Sequence, residues 1–267
     1  MTYEGTHKYF PIGNRNNGWG QSWWIGLFPF LDQDAVFKQW THNGPGTGFT
    51  NAANGAVVGG KVFQFAWCPS SPLRTQFEVT PHNVVNPIAT YTGIAGATPD
   101  PQSRTTTAGN GIYGNGGVLF YFSRIGIKDI RDGASNVMAV AEQSDFCIET
   151  NGPSGNTGQQ RIAINSWPHG MFMGSDNPND RSFNCTTVRY KVNYKQATGG
   201  HNYNAGLCGA TGVCGNMGNN NPIQAAHSGG AHTVLCDGTV RFLNESLDLS
   251  VFRNLAVRDD NRPLGEF

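Results

Sequence analysis

In the stretch HSGGAHTVLCDGTVRFL, residues 227–243, His227, His232, Cys236 and Asp237 are metal-ligand or acid–base groups by type. Their spacing argues for something plainer. Asp237-Gly238 separates two strand-like runs, which is a strong hairpin signal, and Gly229-Gly230 lets the chain bend before the first run. A two-residue primed turn would pair Cys236 with Thr239, Leu235 with Val240 and Thr233 with Phe242. Leu235, Val240 and Phe242 would then share the core face, opposite Val234 and Arg241. Gly238 should take positive φ, and the Asp237 carboxylate should bond backbone N–H groups of the turn. Six extended residues hold the hairpin ends about 20 Å apart, at about 3.3 Å each. His227 and Asp237 therefore read as parts of one structural motif, not as partners in one site.

Other groupings are weaker. Asp176, Asn177, Asn179 and Asp180 in GSDNPNDRS offer side-chain oxygens of the kind calcium takes, or else a plain Asx-rich turn. Pro178 and the lack of a downstream Glu depart from the EF-hand pattern. Asp132, Ser135 and Asn136 in DGASN suggest a similar turn, and Asp259-Asp260 reads as solvated charge. The sequence contains no GxSxG, HExxH or phosphate-loop motif, so catalysis has no anchor and no cofactor is expected, calcium apart. Trp19, Trp40 and Trp167 could serve a surface that binds carbohydrate or another polymer, the alternative to a structural role.

The elements that must position these residues come from an uncommon composition. Of 267 residues only 13% are charged while 36 are glycine, which favours short strands and long loops. Lys plus Arg equals Asp plus Glu at 18 each, so no long-range field attracts nucleic acid. The six cysteines lack any CxxC pair and fit disulfides better than a zinc ribbon, which points outside the cytoplasm. Cys208 and Cys214 in CGATGVC are the expected pair; Cys68, Cys147, Cys185 and Cys236 are left unassigned.

Residues 23–28 are expected as a helix that Pro29 interrupts, with a second helical turn running from Asp32 and Asp34 to Trp40. Strands are expected in KVFQFAWCPSSP, in 89–96, 117–122 and 137–143, and in RIAINSW and CTTVRYKVNY. A helical turn should span Ile127 to Ile130, with a turn at Asp132-Gly133. Residues 149–160 and 198–222 look like exposed Gly/Asn insertions. LDLSVFRNLAVR should close the chain as a helix capped by Asp248, with Leu249, Phe252, Leu255 and Ala256 facing inward. The whole reads as a single α+β domain over 1–267 with a mainly antiparallel sheet.

His227, nine residues, then Asp237-Gly238 resembles the H-X9-DG signature of the DUF1559 family, the prepilin-processing-associated proteins of planctomycetes and relatives. YFPIG with SWWIGLFPFLDQ, FAWCPSS, YTGIAG, DIRDGASNVMAVAEQS, NCTTVRYKVN and the last thirty-odd residues are similar to segments of that family as well. The resemblance implies a pilin-like or pseudopilin-like head whose long N-terminal apolar helix, absent here, would lie upstream of Tyr3 behind a prepilin leader. It further implies an extracytoplasmic, non-enzymatic structural role. Partners would be other pilin-like subunits or the secretion machinery, met through that helix, and this chain alone should not form filaments.

Overall fold

The computed structural model describes residues 2–15, 18–48, 52–79, 84–150, 159–164, 169–175, 181–197, 208–215 and 217–262. In chain order the N-terminal third holds helix α1 (Tyr3–His7), strands β1 (Asn14–Arg15) and β2 (Gln21–Ser22), and helices α2 (Trp23–Leu27), α3 (Asp34–Gln39) and α4 (Ala52–Val58). Strands β3 (Gln76–Val79), β4 (Val84–Pro87), β5 (Tyr91–Ala97), β6 (Thr105–Ala108), β7 (Gly111–Gly114) and β8 (Met138–Glu142) follow. The remainder comprises β9 (Phe146–Thr150), β10 (Gln159–Ala163), β11 (Cys185–Val188), β12 (Gln196–Ala197), β13 (Gly230–Leu235), β14 (Val240–Asn244) and helix α5 (Leu249–Asn254).

The centre is a five-stranded sheet in the order β11-β5-β8-β13-β14, with smaller sheets around it. Only its β11–β5 pair is parallel. This is the α+β class expected. Both faces of the sheet are covered, so β5 (YTGIAGA) uses small residues and is buried along almost its whole length. One face meets an aromatic layer. Trp23 and Trp24 stack with ring centroids 4.1 Å apart, and Phe28 packs on Phe63 and Phe172. On the other face Phe252, Leu255 and Ala256 of the α5 segment pack with Ile94, Met138 and Leu235. Asp248 caps α5 as expected, accepting from the Ser250 N–H at 2.7 Å.

Several expectations are corrected. KVFQFAWCPSSP is not a strand but a 3₁₀ turn, Gln64–Ala66, and then a tight turn in which Ser71 N–H donates to the Cys68 carbonyl. Both turns are fixed by Thr90, a distant partner that local alternation cannot reveal. Residues 117–122 form no strand either. Val118 and Leu119 both donate to the Ile94 carbonyl, so regular pairing breaks there. Residues 208–215 and 217–222 are not an exposed insertion. Asn219, Asn220 and Asn221 are buried, and the side-chain amides of Asn220 and Asn221 bond backbone groups in the way a partner strand would. Asn220 accepts from Ile112 N–H and donates to the Ile112 and Thr187 carbonyls. Its side chain thus satisfies backbone groups that burial would otherwise leave unpaired.

The β13–β14 hairpin exists, but its loop holds three residues, not two. Leu235 N–H donates to the Thr239 carbonyl and Gly238 N–H to the Leu235 carbonyl, both at 2.9 Å. Gly238 has φ +88°, whereas Asp237 is not among the positive-φ residues, so the turn is type I with a glycine bulge, not primed. The added residue slips the register by one: Val234 pairs with Val240, Thr233 with Arg241 and His232 with Phe242. Val240 and Phe242 therefore face outward with Val234, and Leu243 takes the core position beside Leu235. Cys208 and Cys214 are disulfide-bonded, as expected, while Cys68, Cys147, Cys185 and Cys236 are buried and unbonded to one another.

A cysteine, a glutamate and a histidine brought together at one end of the central sheet

Three of the family-like stretches contribute one chemical group each to a single point. Cys68 comes from the turn after Ala66, Glu142 from the last position of β8, and His227 from the bend ahead of β13. The His227 Nε2 lies 3.4 Å from Cys68 Sγ and 3.2 Å from Glu142 Oε1. All three ligand atoms fall within 4.8 Å of one another. Cys68 and Glu142 are buried, and the His227 side chain keeps 27% of its surface, so the cluster opens to solvent on the histidine side.

Thr90 organises two of the arms. Its N–H donates to the Ala66 carbonyl at 2.9 Å and its Oγ1 accepts the Cys68 N–H at 2.7 Å. Its own carbonyl accepts from Gln143 N–H at 2.8 Å, which anchors the residue after Glu142. The Glu142 carboxylate is oriented from β13, because Oε2 accepts the His232 N–H at 2.7 Å. That leaves Oε1 for His227.

The glycines explain the third arm. Gly229 has φ +81°, the left-handed region that a bend of this kind requires. Gly230 fits because a Cβ there would stand 2.0 Å from the Leu243 carbonyl oxygen across the hairpin. His227 is thus set by HSGG, and its ring meets His232 edge-on at 4.9 Å.

Burial raises the Cys68 thiol pKa above its ordinary value, and the nearby Glu142 carboxylate adds to the effect. Tyr91, paired with Glu142 across the sheet, is pushed up to about 12 by burial and by the same two neighbours. A thiol, a carboxylate and an imidazole in this arrangement can share a proton or hold a cation.

A family model described as "Protein of unknown function (DUF1559)" matches residues 1–250. The chain belongs to the DUF1559 family. No curated protein and no solved structure matches it. In this DUF1559 domain the H-X9-DG signature divides between two jobs. His227 enters the cluster ahead of one end of β13, while Asp237 sits past the other end, with its Oδ1 accepting from Thr239 N–H and Oγ1.

The other sequence candidates scatter. Asp176, Asn177, Asn179, Asp180 and Trp167 lie outside the described residues. Asp132 uses its carboxylate to accept from Asp260 and Asn261 N–H groups, so DGASN clasps the C-terminal segment. Asp259 is not simply solvated charge, since it pairs with Arg104 at 2.8 Å. Trp40 is a core residue whose Nε1 donates to the Thr47 carbonyl, which removes it from any binding surface. Trp19 is half-buried against Phe183 and under the Arg181 guanidinium.

Sequence reasoning assigned His227 to a structural motif and gave Cys68 and Glu142 no role. A signal was present. FAWCPSS, MAVAEQS and HSGG each carry one ligand-type side chain within a stretch already marked as family-like.

Proposed function

We propose that this DUF1559 domain is a non-enzymatic, extracytoplasmic head of a pilin-like or pseudopilin-like assembly, held at the cell surface through an apolar helix preceding the head. The observation that carries this reading is the buried Cys208–Cys214 bond. Disulfides persist in oxidising compartments, and this one is built into the fold. Cys208 N–H donates to Asn110 Oδ1 and Cys214 N–H to Asn221 Oδ1, so the bonded loop is docked to the body. The prepilin-like motif set supports the same assignment. So does the outer edge of the sheet, where β14 has one partner strand and exposes Val240 and Phe242.

The test is to place a prepilin leader and apolar helix ahead of Tyr3 and express the fusion in a host that makes type IV pili. The expected result is a head in the sheared surface fraction, co-purifying with filaments, with Cys208 and Cys214 oxidised. Retention in the cytoplasm with both thiols reduced, or export with no association to any pilus or secretion component, would overturn it.

A further inference from the structure

We propose that Cys68, Glu142 and His227 form a binding site for one divalent transition-metal ion of the zinc class. The site is independent of the display role above, since either can fail without the other.

The geometry separates a metal site from a catalytic triad. In a cysteine–histidine–acid triad the imidazole turns one nitrogen to the thiol and the other to the carboxylate. Here Nε2 alone faces both Sγ and Oε1. Three donors thus converge on one point, as ligands do around an ion.

The separations agree with this. Tetrahedral zinc with bonds of about 2.3 Å to sulfur and about 2.05 Å to nitrogen and oxygen spaces S and N about 3.6 Å apart, and N and O about 3.3 Å. The corresponding distances are 3.4 and 3.2 Å. The sulfur–carboxylate separation, within 4.8 Å, leaves room for the ion to draw those two inward.

Charge points the same way. A buried thiolate and carboxylate repel each other, and a doubly charged cation neutralises the pair while imidazole adds none. The donor set selects the metal class. Thiolate and imidazole suit zinc or a neighbouring late transition metal, while calcium and magnesium prefer oxygen alone. The His232 N–H on Oε2 and the Thr90 hydroxyl on the Cys68 backbone supply the outer contacts that hold such ligands in place. Three protein ligands leave the fourth position on the exposed His227 side, for water or a donor from a partner.

The experiment uses the purified chain with Cys208–Cys214 oxidised, titrated with Zn²⁺ by calorimetry and with Co²⁺ by absorption. We expect one equivalent of either metal, a near-ultraviolet thiolate-to-cobalt band, and protection of Cys68 from alkylation by bound Zn²⁺. Cys68→Ser should abolish the band. His227→Ala, a partly exposed position, should keep the wild-type circular dichroism spectrum and weaken Zn²⁺ by more than about tenfold, the lower end of what outer-contact losses already cost. Absence of saturable binding, or binding that both variants retain within tenfold, would overturn the proposal. A stoichiometric cobalt complex without the thiolate band would do so too.

Discussion

At the scale of single residues, the hairpin turn concentrates two separable effects. A Cβ at Gly238 would meet nothing within 4 Å, so substitution there is penalised only through φ +88°. Gly238→Val should therefore cost about 1–3 kcal/mol, and Gly238→Asn clearly less, measured by urea unfolding. Equal stability of all three proteins would contradict the turn geometry. Asp237 adds a pH dependence. The Thr239 N–H, and then its hydroxyl, hold the Asp237 carboxyl below its ordinary value of 3.8. A folded pKa below the unfolded one means the contribution is complete above about pH 4 and is lost as pH falls through the folded value. Asp237→Asn should flatten the acid limb of the stability–pH curve below about pH 4 and leave its shape near neutrality unchanged. Unfolding titrations across that window decide it.

Elements were legible in the sequence where their pattern is local. The α2 segment, β5, β8, the Asp248-capped α5 and the Cys208–Cys214 ring fall where expected. What stayed hidden depends on partners far along the chain, such as Thr90 fixing the Cys68 turn or Asn220 filling a strand's place beside Ile112. The hairpin is the instructive case, because one extra loop residue exchanged Phe242 for Leu243 in the core. Two predictions belong to this scale. Asn220→Ala would strip partners from the Ile112 N–H and carbonyl, and should destabilise by at least about 1–3 kcal/mol, the cost of one buried group left unpaired. Opening the disulfide as Cys208→Ser with Cys214→Ser should cost about 2 kcal/mol by chain entropy for so short a ring. A loss well above that in calorimetric unfolding would show that the bond also holds the Asn110 and Asn221 contacts in place.

At the scale of the whole molecule, no helix among the described residues is long and apolar enough to cross a membrane. Assembly of pilin-like subunits through such a helix predicts that this chain alone remains unpolymerised at high concentration. Ordered filaments in electron micrographs of the unfused chain would refute that. Zero net charge removes long-range repulsion between copies of the chain, so any contact between them would depend on short-range fit and local charge pairing.

The Cys68–Glu142–His227 meeting point also has a place in time. Cys68 and His227 are 159 residues apart in the chain, and Glu142 and His227 are 85 apart. Loops that long close late, because their entropy must be met before any distant contact rewards it. The three atoms meet only when β5, β8 and β13 hold this register, since a one-residue slip turns the Glu142 side chain to the opposite face. A chain carrying an ion there would have completed its central sheet, so occupancy would report finished folding, separating complete domains from partly zipped ones.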